Sequence, residues 1–96
     1  MHVISRKRLK DFWEIHPQAE GPLRAWFRAA SMAEWSSSHD VRTQFGSADF
    51  VGDRVVFDIG GNKYRLVVHI AYRFKRLLIR FVGTHEEYDR IDVKSV

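Results

Sequence analysis

Cysteine is absent from the chain, which excludes disulfides, thiolate metal sites and a cysteine nucleophile, and fits a reducing cytoplasm. Long apolar runs are missing too, and the longest falls far short of the ~20 residues that cross a bilayer. No signal-peptide pattern is expected, because the basic start Arg6-Lys7-Arg8 leads into a mixed segment rather than an apolar one. Proline occurs twice, and neither a low-complexity tract nor an internal repeat is visible. His2, His16, His39, His69 and His85 lack the spacing of zinc ligands, and no Gly-rich loop precedes a helix in a phosphate-cradling arrangement. Neither a metal nor a cofactor is therefore expected.

Acid is scarce where base is dense. Residues 1–10 carry four Lys or Arg and no acid, residues 11–49 carry three bases against six acids, and residues 50–96 carry nine against six. Between Arg54 and Arg80, seven bases meet the lone Asp58. A polyanion is the natural partner of such a strip, with salt-sensitive binding. The plainer explanation is that hairpin-tip cations discourage edge-to-edge aggregation. At 96 residues the chain is a single domain, 1–96, with material for one core.

The pattern of the last third predicts an antiparallel meander. Tyr64, Leu66, Val68, Ile70 and Tyr72 recur at every second position, with Arg65 and His69 between them. Val55–Ile59 and Leu77–Val82 are rich in β-branched and aromatic residues. Gly60-Gly61-Asn62 and Arg73-Phe74-Lys75-Arg76 separate the runs. A two-residue loop at Gly61-Asn62 sets Ile59 against Tyr64, Phe57 against Leu66 and Val55 against Val68, and therefore Asp58 against Arg65. A second hairpin with an even loop puts Leu77, Ile79 and Phe81 on the face of Leu66, Val68 and Ile70. Arg65, His69 and Arg80 then share the other face, with Thr84 at its lip and His85 just beyond.

Upstream, Met1–Ile4 suits a strand, and Ser5 suits the cap of a helix running to about His16 with Leu9, Phe12, Trp13 and His16 on one face. Pro17 marks a break. A second helix carries Leu23, Trp26, Phe27 and Ala30. Ser38 suits the cap of a single turn through Phe45, and Gly46–Asp53 is expected to be loop. The tryptophans either fill the core, as their helical spacing suggests, or stack on bases. The expected fold class is α+β: an antiparallel sheet with two N-terminal helices packed on one face and a short C-terminal helix.

The runs F-D-I-G-G-N-K-Y-R-L-V and I-R-F-V-G-T-H-E-E-Y-D, together with H-V-I-S-x-x-x-L, H-P-Q-A and S-A-D-F-V-G, resemble the HigB-type mRNA interferase toxins of type II toxin–antitoxin modules, a branch of the RelE superfamily. The likeness covers nearly the whole chain. It implies a RelE-like fold, ribosome-dependent cleavage of translated mRNA in the cytoplasm, and neutralisation by a helix-turn-helix, HigA-like antitoxin.

Metal-free RNA cleavage by the 2′-hydroxyl needs a proton acceptor, a proton donor and cations for the developing phosphorane charge. His85 is the candidate for the proton, since imidazole titrates near neutrality, and by resemblance it matches a histidine used catalytically in related toxins. Arg65 and Arg80 are candidates for the scissile phosphate, because guanidinium stays charged and donates two parallel hydrogen bonds. Lys63, Asn62, Tyr88 and His69 are candidate RNA contacts. Each has a structural rival. Arg65 can pair with Asp58 across the hairpin, Arg80 can face solvent, and His85 can be a first-turn residue after a Thr84 cap with Glu86 and Glu87 behind it. Asn62 can serve only the turn, and Tyr88 can be core. The competing functions are a non-catalytic RNA- or protein-binding module and a DNA-binding repressor, though no helix-turn-helix signature is apparent for the latter.

Overall fold

A computed structural model describes residues 1–96. Its elements run β1 (His2–Ile4), α1 (Arg6–Ile15), a 3-10 turn (Pro17–Ala19), α2 (Glu20–Met32), α3 (Ser38–Gln44), β2 (Asp49–Val51), β3 (Arg54–Ile59) and β4 (Tyr64–Ala71). A second 3-10 turn (Tyr72–Phe74), β5 (Arg76–Thr84) and α4 (His85–Tyr88) complete the chain. The five strands form one sheet in the order β1-β5-β4-β3-β2. All pairs are antiparallel except β1 with β5. The α+β class expected from the pattern is what forms, and no helix is long and apolar enough to cross a membrane.

Helices α1 and α2 lie on one face of the sheet because their apolar stripes have nowhere else to be buried. Leu9 and Trp13 of α1, and Leu23, Trp26 and Ala30 of α2, join Val55, Phe57, Leu66, Val68, Leu77 and Ile79 in one buried cluster. Phe57 is its centre, edge-on to Trp26 at 5.5 Å and to Phe45 at 5.1 Å, and stacked on Trp35 at 6.4 Å. All three tryptophans are buried, so none presents a face for base stacking.

The first hairpin has the expected register: Ile59 faces Tyr64, Phe57 faces Leu66, Val55 faces Val68 and Asp58 faces Arg65. The turn itself differs. The left-handed residues are Gly60 and Gly61, with φ 63° and 69°, and Asn62 is not among them. Asn62 is therefore not in place for its backbone.

Further departures have local causes. Ser5 sits at the start of α1 in a left-handed conformation (φ 75°) and its side chain makes no cap bond, so it turns the chain out of β1 instead. The expected loop before β3 contains β2, an added edge strand paired with Val55 and its neighbours. The expected single turn is the two-turn α3, preceded by Ser37 rather than capped by Ser38.

The largest departure is in β5. Val68 pairs with Ile79 and Val67 with Phe81, so Arg80 is an extra residue, a β-bulge. Alternation breaks there. Phe81, expected toward the helices, stands opposite outward-facing Val67, and Val82 takes its place against the core.

The face away from the helices is not bare. Val56 and Val67 point to it and are buried, yet lie outside the helix-side cluster. The segment after α4 crosses this face: the Val96 oxygen accepts from Arg54 and Arg80, and Lys94 lies over Gly52, where a Cβ would meet its Cγ at 3.6 Å. Asp92 shapes the segment by accepting from the Lys94 and Ser95 backbone N–H groups.

Leu66 is fully buried in the middle of β4. Leu66→Ala is expected to lower unfolding free energy by about 2–5 kcal/mol in urea titration; a loss below about 1 kcal/mol would place the core elsewhere.

Candidate active site

The sequence-predicted residues fall at two ends of the outer face. At the hairpin end, Arg65 projects from β4 opposite Gly83 of β5, a position with no side chain to obstruct it. Its guanidinium is held on several sides. Nε lies 3.2 Å from the Asp58 carboxylate, Nη2 donates to Asn62 Oδ1 at 2.6 Å, and Nη1 donates to the Tyr64 and Asn62 carbonyls at 3.2 and 3.3 Å. The ring of Tyr88 lies 5.9 Å from its central carbon. With 11% of the side chain exposed, Arg65 is a fixed charge. Asn62 thus contributes its side chain as an Arg65 acceptor.

His85 begins α4. Thr84 caps that turn by a reciprocal pair: its Oγ1 accepts from the Glu87 N–H at 3.1 Å, and its own N–H donates to Glu87 Oε1 at 2.8 Å. The His85 N–H donates to the Lys63 carbonyl at 3.0 Å, which ties the helix start to the hairpin. The His85 ring directs Nδ1 at Asp89 Oδ2, 3.1 Å away, one helical turn on. A proton on Nδ1 satisfies that contact and leaves the Nε2 lone pair available. At 46% exposed, the imidazole is open to a ligand.

Tyr88 reaches over Arg65. Burial raises its phenol above the usual value of 10.0, and Asp49 on β2 adds to the rise while Arg65 opposes it. The hydroxyl is a standing donor at neutral pH. Lys63, at the hairpin tip, extends to Gln18 Oε1 at 3.3 Å, away from the other candidates.

At the opposite end, Arg80 projects from the bulge, and its Nε donates to the Val96 oxygen at 3.1 Å. Arg8 of α1 donates to the Arg80 carbonyl from the helix side. His69 stands opposite Arg54, with Nδ1 3.3 Å from the Asp53 carbonyl oxygen and 3.6 Å from its carboxylate. Arg65 and Arg80 share a face but not an acceptor: one is turned to Asp58 and Asn62, the other to Val96.

Arg54 was not singled out from the sequence. It donates to the Val96 oxygen through Nε at 3.0 Å and Nη2 at 2.7 Å, and to Asp53 through Nη1 at 2.8 Å. The signal that could have found it is the hairpin register, which puts Arg54 beside His69 once Val55 is opposite Val68.

Comparison with known proteins bears on what this arrangement is for. The profile of the HigB toxin family, described as the RelE-like toxic component of a toxin-antitoxin system, matches residues 19–91. The mRNA interferase toxin HigB of Escherichia coli K12 is 33% identical over 92 residues, covering 93% of this chain and 88% of the relative. The mRNA interferase HigB of Shigella flexneri is equally similar. The mRNA interferase HigB of Escherichia coli O6:H1 is 28% identical over 94 residues, covering 95% of this chain and 91% of the relative.

The raised phenol gives a pH test. The folded chain holds the Tyr88 proton more tightly than the unfolded chain does, so stability is unaffected well below pH 10 and falls as pH rises past the unfolded value. In an ultraviolet titration, a late tyrosinate component is expected that shrinks in Tyr88→Phe; an unchanged late component would refute the burial.

Proposed function

Since the chain belongs to the HigB family of RelE-like toxins of toxin–antitoxin systems, we propose that it is an mRNA interferase that cuts translated mRNA on the ribosome by metal-free attack of a 2′-hydroxyl. The observation that carries the reading is the His85 imidazole, capped into place at the start of α4, backed by Asp89 on one nitrogen and open on the other. Beside it, Arg65 offers a fixed cation.

In the proposed reaction, Nε2 of His85 takes the 2′-hydroxyl proton. The oxygen then attacks the adjacent phosphorus, the P–O5′ bond breaks, and a 2′,3′-cyclic phosphate and a 5′-hydroxyl are formed once the leaving oxygen is protonated. The Asp89 carboxylate, 3.1 Å from Nδ1, orients the ring. Arg65 lowers the barrier by facing the added charge on the phosphorane with a group already in position, while Arg80, expected beside it, lies at the other end of the face and meets the RNA backbone away from the cut. Asn62, Lys63, Tyr88 and His69 contact the flanking nucleotides. No cofactor or metal takes part. The inhibitor is a helix-turn-helix, HigA-like antitoxin that covers or distorts the outer face, and the site of action is the cytoplasm, where translated mRNA is found.

A second reading, a non-catalytic RNA- or protein-binding module, is favoured by the way Arg65 is saturated by Asp58, Asn62 and Tyr64. The two part experimentally. His85→Ala is expected to slow cutting of translated mRNA roughly 10²- to 10⁴-fold with an unchanged melting temperature, read by mapping transcript ends with and without ribosomes. Wild-type protein that binds RNA and leaves it whole would establish the module.

A further inference from the structure

The end of the sheet away from the β3–β4 hairpin holds a cavity of about 240 Å³. It lies where α3 begins, between the β2–β3 turn and the end of β4, and is lined by Ser38, Phe50, His69 and Tyr72 together with the Asp53–Arg54 pair. Sites that enclose a drug-sized molecule run to ~300–1,000 Å³, so the natural occupant here is a single small ring system. Phe50 and Tyr72 both pack against the core cluster. Arg42, outside the cavity, holds its guanidinium 4.8 Å from the centre of the Phe50 ring. The aromatic walls are thus fixed before any ligand arrives.

The polar groups are of mixed sense. Nδ1 of His69 lies 3.3 Å from the Asp53 carbonyl oxygen; a proton there satisfies that contact and leaves Nε2 as an acceptor. Burial, with a smaller push from Asp40, raises the Tyr72 phenol above its usual value of 10.0, so its hydroxyl is a donor at neutral pH. The Ser38 hydroxyl can give or take. Nε2 of His69 and the two hydroxyls have no hydrogen-bond partner within the chain. The nearby charge is matched, since Nη1 of Arg54 stands 2.8 Å from the Asp53 carboxylate. A phosphate would use only the donors, and would meet the His69 lone pair and that carboxylate. A nucleobase is flat and uncharged, with donors and acceptors along one edge, and it uses walls and polar groups alike.

We propose that this cavity is a pocket for one unstacked nucleobase of the RNA, walled by Phe50 and Tyr72 and read along its edge by His69, Tyr72 and Ser38. The choice of RNA as the source of the base rests on the reading of the chain as an RNA-cleaving enzyme; the preference for a base over a phosphate rests on the cavity alone. His69 stands four residues along β4 from Arg65, about 13 Å at ~3.3 Å per residue. The base therefore belongs to a nucleotide beyond the scissile linkage, and what His69 touches there is the ring and not the backbone.

The test titrates the isotopically labelled whole chain with the four ribonucleosides, and with ribose 5-phosphate, which carries a phosphate and no base. At least one nucleoside is expected to shift the amide signals of Gly52, Asp53, His69 and Tyr72 saturably at millimolar concentration, while ribose 5-phosphate leaves them in place. Ser38→Phe fills the cavity from an exposed position and is expected to abolish the shifts with an unchanged melting temperature; His69→Ala, at a side chain 39% exposed, is expected to weaken them. A fully 2′-O-methylated RNA oligonucleotide, which cannot be cut, is expected to shift the same amides, to displace the nucleoside, and to bind Ser38→Phe roughly five- to hundredfold more weakly. Nucleosides that shift nothing, shifts matched by ribose 5-phosphate, shifts kept in full by both variants, or an oligonucleotide that leaves the nucleoside in place would each overturn the proposal. A wild-type protein that takes nucleoside and oligonucleotide into the cavity but fails to cut translated mRNA would remove the nuclease reading and leave the pocket standing, whereas one that cuts and shows no shifts loses the pocket alone.

Discussion

Strand β5 carries one residue more than β4 can pair with, and the chemistry of the outer face depends on that mismatch. Without the bulge, alternation past Ile79 would set Val82 opposite Arg65 and drive Phe81 against Leu66 in the helix-side core. With it, Arg65 faces Gly83, and Val82 supplies the core contact. The glycine is then required. A Cβ at Gly83 would stand 2.5 Å from the tip of the Phe81 ring and 3.2 Å from Cβ of Glu87, so the bulge, the ring and the start of α4 fit together only around a bare backbone. Because α4 follows directly, the extra residue also decides from which side of the sheet His85 is presented.

A sheet covered on both faces raises a problem of charge that the molecule solves with its own groups. Arg65 is balanced by Asp58 and Asn62, Arg54 by Asp53, and Arg80 by the Val96 oxygen. Each pairing keeps a guanidinium in a defined place near buried apolar surface, where an unmatched cation would be costly. Each is also a competitor for any incoming phosphate. Affinity for RNA is then the difference between the new contacts and those given up, so the density of positive charge along β3–β5 overstates the binding that it can deliver.

The strand pattern alone carried a good part of this. Period-two alternation from Tyr64 to Tyr72 and the glycine turn were enough for the β3–β4 register and for Asp58 opposite Arg65. The helices followed from the spacing of Leu9, Trp13, Leu23 and Trp26. What escaped was set by non-local geometry. A bulge has no mark in Ile79-Arg80-Phe81-Val82, since either parity leaves an apolar residue facing the core. The parallel pairing of His2–Ile4 with Arg76–Leu78 depends on where α1 and α2 return the chain. The placement of Val96 on Arg54 and Arg80 depends on a segment with no periodicity. In the candidate site, the Thr84 cap, the Glu86-Glu87 start and the Asp58 partner were legible as local pairs. Arg54 was legible only through the register, and the His85–Asp89 pair only once α4 was known to extend a full turn.

The same local pairs bear on why the proposed reaction would need the ribosome. Four acids, Asp58, Glu86, Glu87 and Asp89, crowd the end of the face where His85 and Arg65 lie. Three of them have evident work: Asp58 orients the guanidinium, Asp89 fixes the imidazole, and Glu87 closes the cap of α4 with Thr84. All four repel a phosphate, and being mostly exposed, they do so in competition with the arginines that attract it. A site built this way is well arranged for the transition state, where charge on phosphorus increases and fixed guanidinium groups matter most, yet is poor at collecting RNA from solution. Supplying the strand from an assembly that already holds it replaces weak bimolecular capture by a high effective concentration. Under the proposed mechanism, dependence on the ribosome follows from that electrostatic compromise: the carboxylates that organise the catalytic groups are the same ones that keep free RNA away.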